Sequence, residues 1–380
     1  MKDLGRIGFS EDQATLLEVA TDFCQRRSPV ATVRRLMEDE LGHDPAVWAE
    51  MGDLGWLGVA IPEAYGGSGL GLAEVVPLVE QMGRRLMAGP FVSTTLAAQA
   101  LLAAGTEAQK LEHLPRIADG EAATVALGEP DTDWEPDSIA ASAVRGADGR
   151  LALSGRKVLV TDAGIARRLI VAVRLDGAPA LVLLTPEDLP EGALRRETVI
   201  DETRRSFSLA LDGITVAADR LLDPERAGAA LEHLHLAANL LAAADMVGGT
   251  QACIDYTLDY LRTRTQFGKL IGSYQALKHP IVDAYTRYEQ ARSHLYSAAH
   301  CFNEQGTGEI AVRMSKASAD VAYSFAADRS IQFHGGFGFT WDCDAQLYRR
   351  RAIWHAAQFG DAAFHRRKLA RLLLRPPATP

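Results

Sequence analysis

The stretch QFHGGFGFTWDCDAQLYRRRAIWHAAQFGD, from Gln332 to Asp361, combines residue types that suit the binding of an anion. Its glycine pair, Gly335 and Gly336, would let the backbone approach a ligand closely. Its three consecutive arginines, 349–351, can pair with phosphate or carboxylate groups. The same arginines could instead lie on the solvated face of a helix. The stretch therefore indicates a site for a small anionic ligand or a charged helix surface.

A second stretch, YLRTRTQFGKLIGSYQALKHPIVD, lies between Tyr260 and Asp283. We expect a helix to end near Arg264, a tight connection at Gly268 and Gly272, and a new helix near Ser273. A helix start presents unpaired N–H groups that suit a phosphate, and Arg264 could pair with a diphosphate. A simple pair of antiparallel helices with a capping serine would give the same spacing, so the spacing leaves both interpretations open.

Composition places the chain among ordinary globular proteins and disfavours one class of partner. The 380 residues carry 40 Lys and Arg against 49 Asp and Glu, a formal net charge of −9. A nucleic-acid partner is unexpected, because no broad basic surface could neutralise a phosphate backbone. Four scattered cysteines, without metal-like spacing, predict a reduced protein and no metal site.

The apolar segments do not predict a membrane anchor. The N-terminal MKDLGRIGFS has no apolar core of the signal-peptide type. The most apolar stretch, LHLAANLLAAADMVGG, is short and is interrupted by Asn239 and Asp245. We therefore expect a soluble, cytoplasmic protein that does not associate with membranes.

The chain divides into three regions of different residue pattern, and these regions must position the residues named above. Apolar residues recur at helical spacing up to about residue 120, and short alternating or β-branched runs follow as far as about 225. Long helices are then predicted over 226–263, 271–304, 307–333 and 343–373. The chain is therefore predicted to form three domains, at 1–120, 121–225 and 226–380. Ligands favour the clefts where such domains meet.

The motifs resemble those of the acyl-CoA dehydrogenase family along essentially the whole chain. RTRTQFGKLIGSYQALKH closely matches the family signature R-x-QFG-x-x-IG-x-(F/Y)-Q-x-x-(K/R)-H, and QFHGGFGFTWDCDAQLYRR matches the second signature, Q-x-x-GG-x-G-(F/Y) with a following (Y/F)-R pair. AIPEAYGGSGLG resembles its N-terminal loop. The resemblance implies an α+β fold with an N-terminal helical domain, a middle β domain and a C-terminal four-helix bundle.

The resemblance also implies FAD as the cofactor, with its adenosine diphosphate half at a subunit boundary. Carried over by position, the residues toward that half are Arg264, Phe267, Gln275, Gln332, Gly335 and Gly336. In the β domain, KVLVTDA stands where the family has K-x-W-I-T-N-G. Thr161 would then face the flavin ring, and Leu159 replaces the usual tryptophan.

Neither family position for the catalytic base holds an acid. The usual glutamate lies ten residues after the tyrosine of the Y-R pair, and ten residues after Tyr348 the chain has Gln358. The alternative position, on the first C-terminal helix, is Ala238, followed by Asn239. Glutamine cannot remove a proton from a thioester.

Other side chains could replace the missing base. Asp245 lies two turns after Ala238 on the same helix face, in an apolar segment, and is the leading candidate. It could instead be a structural residue that pairs with an arginine or faces solvent. Asp361 is the next candidate, and His355 and His365 are interpreted as surface or packing residues.

Three functions remain open on this evidence. The chain could be an FAD-linked acyl-CoA dehydrogenase, acting on a bulky or polycyclic acyl-CoA as one subunit of the two-chain type found in steroid side-chain degradation. It could be a non-catalytic partner that completes FAD sites for a base-bearing homologue. It could also be a flavin monooxygenase of the same fold, which needs no α-proton base. By analogy we expect an electron-transferring flavoprotein as acceptor and a homo- or heterotetramer.

Overall fold

The computed structural model describes residues 10–130, 134–135, 138–304 and 306–374. The N-terminal region is helical, as predicted. Ser10 and Thr106 each form a capping box, so the helices that follow them begin where side-chain caps satisfy free N–H groups. The helices are α1 (Glu11–Arg27), α2 (Val30–Glu38), α3 (Pro45–Asp53), α4 (Leu72–Arg84), α5 (Phe91–Ala104) and α6 (Glu107–Ala118).

The middle region forms two sheets. Its strands are β1 (Ala123–Ala126), β2 (Ser142–Arg145), β3 (Leu151–Ser154), β4 (Arg156–Thr161), β5 (Arg168–Leu175), β6 (Ala178–Leu184), β7 (Leu194–Glu197), β8 (Ser206–Ala210) and β9 (Thr215–Val216). One sheet has the order β1-β5-β2-β3-β9 with β6 on β5, and the other has the order β4-β8-β7. Only β1 and β2 pair with β5 in parallel among these strands. The apolar core contains side chains from both sheets, which confirms the predicted β domain.

Helices return in the C-terminal region. They are α7 (Ala227–Thr263), α8 (Gln275–Cys301), α9 (Thr307–Phe333), α10 (Ala345–Ala357) and α11 (Ala362–Leu373), with a small hairpin of β10 (Thr265–Gln266) and β11 (Lys269–Leu270) after α7. The helical prediction is confirmed for this region. In the part of the chain that the structure describes, no helix is both long and apolar enough to cross a membrane.

One local prediction in this region was wrong. The single helix predicted over 343–373 is divided, because Phe359 and Gly360 have positive φ angles of 56° and 98°. Helical backbone cannot pass through two residues in that conformation. The helix expected near Ser273 starts at Gln275. The Ser273 hydroxyl donates to the Leu270 carbonyl instead of capping the helix.

Contacts group the chain into two compact units. One contains residues 1–34, 72–87 and 239–380, and the other contains residues 35–71 and 88–238. The first unit holds α1, α4, most of α7 and the helices that follow. The second holds the strands β1–β9 with α3, α5 and α6. The predicted domain boundaries at 120 and 225 stay a prediction.

Within the first unit, α4 and α7 cross at two glycines. A Cβ on Gly248 would lie 1.8 Å from the carbonyl oxygen of Glu80, and a Cβ on Gly83 would lie 2.2 Å from the carbonyl oxygen of Asp245. Real side chains cannot approach backbone so closely. The two glycines therefore allow the helix backbones to touch at the level of Asp245.

We expect Gly248→Ala to lower the free energy of unfolding by about 1–3 kcal/mol, because the added methyl group forces the backbones apart. The matched control is Gly228→Ala on the same helix, where an added Cβ meets no described atom within 4 Å. That change should stabilise the protein by up to about 1 kcal/mol, since alanine favours helix. Urea unfolding of both variants measures the difference. Equal effects would contradict the close crossing.

Candidate functional site

A pocket of about 750 Å³ lies in the first unit, beside the end of α7. Three elements build it: the last turn of α7, the β10–β11 hairpin with the start of α8, and the end of α9. The lining residues are Tyr260, Arg264, Gln266, Phe267, Ile271, Tyr274, Ala276, Leu277, Phe333, His334, Gly335, Gly336 and Phe337. Aromatic rings, one guanidinium and two glycines thus face the same space.

The hairpin projects an aromatic side chain into solvent. Phe267 and Gly268 form its two-residue turn with φ angles of 52° and 79°, the combination that a tight hairpin needs. A phenylalanine in this conformation is strained, and its ring is 91% exposed. The Phe267 ring meets Tyr274 edge-on with centroids 6.5 Å apart. The turn therefore maintains an exposed aromatic surface at a conformational cost.

Arg264 follows the last residue of α7. Its backbone is held on both sides, because its N–H donates to the Tyr260 carbonyl at 2.9 Å and its own carbonyl accepts from the Ile271 N–H at 2.9 Å. Its guanidinium makes no hydrogen bond or ion pair with any residue that the structure describes. A fixed backbone with an available cation suits an anionic ligand.

The opposite wall is the turn of residues 335–339, which follows α9. Gly335 has a φ of 60°, and a Cβ on either Gly335 or Gly336 would meet no described atom within 4 Å. The backbone of the two glycines is therefore exposed and unobstructed at the pocket, where a phosphate could approach it.

The structure brings four of the predicted binding residues together in this pocket: Arg264, Phe267, Gly335 and Gly336. Gln275 and Gln332 are exposed near its edges, on the first turn of α8 and the last turn of α9, but do not line it. Tyr260 and His334 do line it, and the sequence analysis missed both. The spacing of Tyr256 and Tyr260 on one helix face was the available signal.

Thr161 lies in the second unit, at the end of β4. It is half-buried, and its carbonyl accepts a hydrogen bond of 2.6 Å from the Thr124 hydroxyl. The next residue, Asp162, accepts from the Ser93 hydroxyl at 2.7 Å. Burial raises the pKa of the Asp162 carboxyl to about 6. The role of Thr161 toward flavin stays a prediction.

Leu159, which the resemblance predicts to stand at the position of the family's tryptophan, lies in a bulge of β4. The β4–β8 register shifts between Lys157 and Val160, and Leu159 has a φ of 57°. The Glu197 carboxylate stabilises the bulge by accepting from the Leu159 N–H at 3.0 Å and from the Ser206 hydroxyl at 2.8 Å. The strand thus keeps an irregular, pinned conformation although the large ring is absent.

Asp245 is buried in the first unit, on α7. Arg351 Nη1 lies 3.1 Å and 3.3 Å from its two carboxylate oxygens, and His355 Nε2 lies 3.0 Å from Oδ1. Arg351 is fully buried, and the two partners are one turn apart on α10. This arrangement matches the structural alternative for Asp245. Its assignment as a base stays a prediction.

Gln358, which the resemblance predicts to stand at the family's base position, ends α10 and is buried. Phe359 and Gly360 then reverse the chain. Asp361, the other candidate acid, is the N-cap of α11, and its carboxylate accepts from the Phe364 N–H at 2.6 Å. The acid three residues after Gln358 is therefore used to start a helix.

Lys316 stabilises the turn around Gln358 through hydrogen bonds to its backbone. Its ammonium is fully buried and donates to the carbonyls of His355 at 3.0 Å and Gly360 at 3.1 Å, on either side of Gln358. Burial lowers the pKa of Lys316 to about 8. His365, interpreted from sequence as a surface or packing residue, is buried beside this group, and its pKa is lowered to about 3, mainly by burial. The turn is fixed, but it carries an amide.

Family models match both helical regions of the chain. The model described as "Acyl-CoA dehydrogenase, N-terminal domain" matches residues 10–121, and "Acyl-CoA dehydrogenase, C-terminal domain" matches residues 227–374. The chain belongs to the acyl-CoA dehydrogenase family. Its fold and its flavoprotein class follow from that membership, and the family uses FAD.

Individual relatives cover most of the chain. Acyl-CoA dehydrogenase IpdE2 of Mycolicibacterium smegmatis is 28% identical over 361 residues, which is 95% of this chain and 98% of the relative. Acyl-CoA dehydrogenase FadE12 of Mycobacterium tuberculosis is 32% identical over 320 residues, which is 78% of this chain and 80% of the relative.

Solved structures of similar chains share the fold. A "steroid ACAD" variant named Tcur3481-Tcur3483 is 30% identical and superimposes with a TM-score of 0.86 over 96% of this chain and 98% of that one. The ChsE4-ChsE5 complex from Mycobacterium tuberculosis contains a chain that is 26% identical, with a TM-score of 0.88 over 98% of this chain and all of that one (100%).

The residues of the pocket fit the diphosphate part of FAD. The available Arg264 guanidinium complements its charge, the glycine turn lets the backbone approach it closely, and the aromatic walls suit the adjoining nucleoside. The exposed Phe267 extends this surface beyond the pocket.

We expect Arg264→Ala to raise the dissociation constant of FAD about ten- to a hundred-fold, because a hydrogen bond to a charged group contributes about 1.5–3 kcal/mol. Flavin fluorescence after gel filtration measures the loss. Arg262→Ala is the matched control, since Arg262 is exposed and does not line the pocket. An unchanged dissociation constant of FAD for Arg264→Ala would show that Arg264 does not contact the cofactor and has only a structural role.

Proposed function

We propose that this chain is an FAD-binding subunit of a heteromeric acyl-CoA dehydrogenase, in which a homologous chain carries the catalytic base. The observation that supports this most strongly is the turn at Gln358. The backbone of the family's base-bearing turn is held by Lys316 and Asp361, yet an amide replaces the acid.

The reaction explains why the amide matters. Oxidation of an acyl-CoA at its α,β bond removes a proton from the α carbon and a hydride from the β carbon. Bound FAD supplies the hydride acceptor. The α carbon is a weak acid, so its proton must pass to a positioned carboxylate. The neutral amide of Gln358 cannot accept that proton, whatever its position.

The nearby acids have other roles in our proposal. Arg351 and His355 both lie against the Asp245 carboxylate, and moving that carboxylate toward a substrate would separate it from the buried Arg351 cation. Asp361 caps α11. We therefore place the base outside this chain.

A bulky or polycyclic acyl-CoA is the proposed substrate. Two similar solved structures support this proposal. The Tcur3481-Tcur3483 structure is named as a steroid enzyme and by two proteins, and the ChsE4-ChsE5 structure is named as a complex. An electron-transferring flavoprotein is the proposed acceptor by family analogy. A monooxygenase that borrows reduced flavin mononucleotide is less favoured, because a site with an available arginine and an open glycine turn suits the diphosphate of FAD.

The activity of the chain purified alone tests this proposal. The assay follows an artificial electron acceptor with butyryl-, palmitoyl- and cholyl-CoA, after reconstitution with FAD. A rate near background is expected alone, and turnover is expected after co-production with a base-bearing homologue. Robust turnover by the isolated chain would contradict the proposal.

A further inference from the structure

The ring of His334 joins the glycine turn of the pocket to α7. It stacks on Tyr256 with centroids 4.7 Å apart and planes at 17°, and on Tyr260 with centroids 4.3 Å apart and planes at 26°. The two tyrosines are one turn apart on the same helix face. Stacked rings at these distances attract each other beyond their burial of apolar surface.

A hydrogen bond fixes the orientation of this ring. His334 Nδ1 lies 2.7 Å from the Ser330 carbonyl, which can only accept, so Nδ1 carries the proton. Burial lowers the pKa of His334, which favours the neutral ring. His334 also ends α9, where its backbone N–H donates to the Ser330 carbonyl at 3.2 Å.

The far side of the same turn is tied to the same helix. The Tyr256 hydroxyl lies 3.8 Å from Cys343 Sγ, and Gln346 donates to the Gly338 carbonyl. Contacts to His334 before the turn and to Cys343 after it thus both involve Tyr256. Between these anchors lie Gly335 and Gly336, whose backbone is intrinsically flexible because glycine has no side chain.

We propose that His334 is a positioning residue for FAD. By stacking on Tyr256 and Tyr260, it holds the Gly335–Gly336 backbone in its ligand-binding conformation before the cofactor arrives. Ordering a flexible glycine turn during binding would reduce affinity, and a turn ordered in advance avoids that loss. This inference rests on the proposed placement of the FAD diphosphate in the pocket.

The test compares three substitutions in the full-length chain. His334→Ala should raise the dissociation constant of FAD about ten-fold, because both ring contacts are lost. His334→Phe keeps a flat ring and should stay within about three-fold of the unaltered chain. His300→Ala removes an exposed histidine of α8 and should change nothing. Flavin fluorescence titration gives the constants.

A second measurement separates positioning from general stability. In the FAD-free chain, hydrogen exchange of the peptide that covers Gly335 and Gly336 should accelerate in His334→Ala and should match the unaltered chain in His334→Phe. A purely structural residue would lower the unfolding temperature of all states without changing exchange there or FAD affinity. That result would overturn the inference, and so would equal losses of affinity for alanine and phenylalanine.

Arg264→Ala distinguishes failure of this inference from failure of the proposed FAD site. If Arg264→Ala weakens FAD binding and His334→Ala does not, the site stands and the positioning role is wrong. If neither change affects FAD, the diphosphate does not occupy this pocket, and both proposals are wrong.

Discussion

Asp245→Asn should lower the free energy of unfolding by about 3–5 kcal/mol. The change removes the negative charge that compensates Arg351, a guanidinium with no exposed surface. Removing one partner of a buried ion pair leaves the other charge uncompensated in a poorly polarisable interior, which is the costly case. His355 also loses the charged oxygen 3.0 Å from its Nε2. Urea unfolding followed by circular dichroism measures the change.

The matched control is Asp328→Asn, which makes the same substitution in a partly exposed pair. Asp328 Oδ1 lies 2.6 Å from Arg349 Nε, and the two side chains are 48% and 29% exposed. Exposed pairs contribute about 0–1 kcal/mol, so the control should unfold almost like the unaltered protein. Similar losses of unfolding free energy in both variants would contradict the claim that the Asp245 carboxylate compensates the buried charge of Arg351.

The Asp245→Asn variant also distinguishes a structural Asp245 from a catalytic one. A structural residue predicts that a co-purified complex containing Asp245→Asn keeps nearly all of its activity per folded molecule. A catalytic base predicts the opposite: the isolated chain is active, and the change abolishes that activity while the fold is retained. Activity and folded fraction must therefore be measured on the same sample.

Gln358→Glu should raise the rate of acyl-CoA oxidation by the FAD-reconstituted chain about 10²–10⁴-fold over its own background. That factor is the usual contribution of a positioned general base. The backbone around Gln358 is already fixed by the two hydrogen bonds of Lys316, so the new carboxylate would begin from an ordered turn. Burial at this position should also raise the pKa of the carboxyl, which suits proton removal near neutral pH.

Gln358→Ala is the control for Gln358→Glu, because it changes the same residue without adding a base. It should remain at background with butyryl-, palmitoyl- and cholyl-CoA. A Gln358→Glu chain that binds FAD and acyl-CoA but stays inactive would mean that this turn does not face the substrate.

The arrangement of domains was predictable because each region has its own periodicity. Residues up to about 120 repeat at helical spacing, whereas the runs between about 121 and 225 alternate and are separated by Gly, Asp and Pro. The ends of α7 and α9 were predicted within one residue, since the polar RTRTQFG and the glycine pair stop the helical pattern. The break at Gln358 was missed, because only one glycine marks it and Phe359 is an unusual residue for a positive φ.

The candidate site was predictable only in part. Asp245 stood out as a charge in an apolar helix, but its partner Arg351 lies 106 residues away, and periodicity does not report such pairings. Arg264 and the two glycines were singled out by residue type and spacing, and the family resemblance then assigned them to FAD. His334 was missed because its role comes from ring stacking between α7 and the end of α9, which depends on how the helices pack.

The stoichiometry of a co-produced complex tests the central claim most directly. We would co-express this chain with a base-bearing acyl-CoA dehydrogenase homologue, purify through a tag on this chain alone, and record a native mass spectrum. We predict an assembly that contains both chains with bound FAD and oxidises acyl-CoA. Recovery of this chain only with itself, fully loaded with FAD and active, would contradict a heteromeric enzyme with its base on the partner.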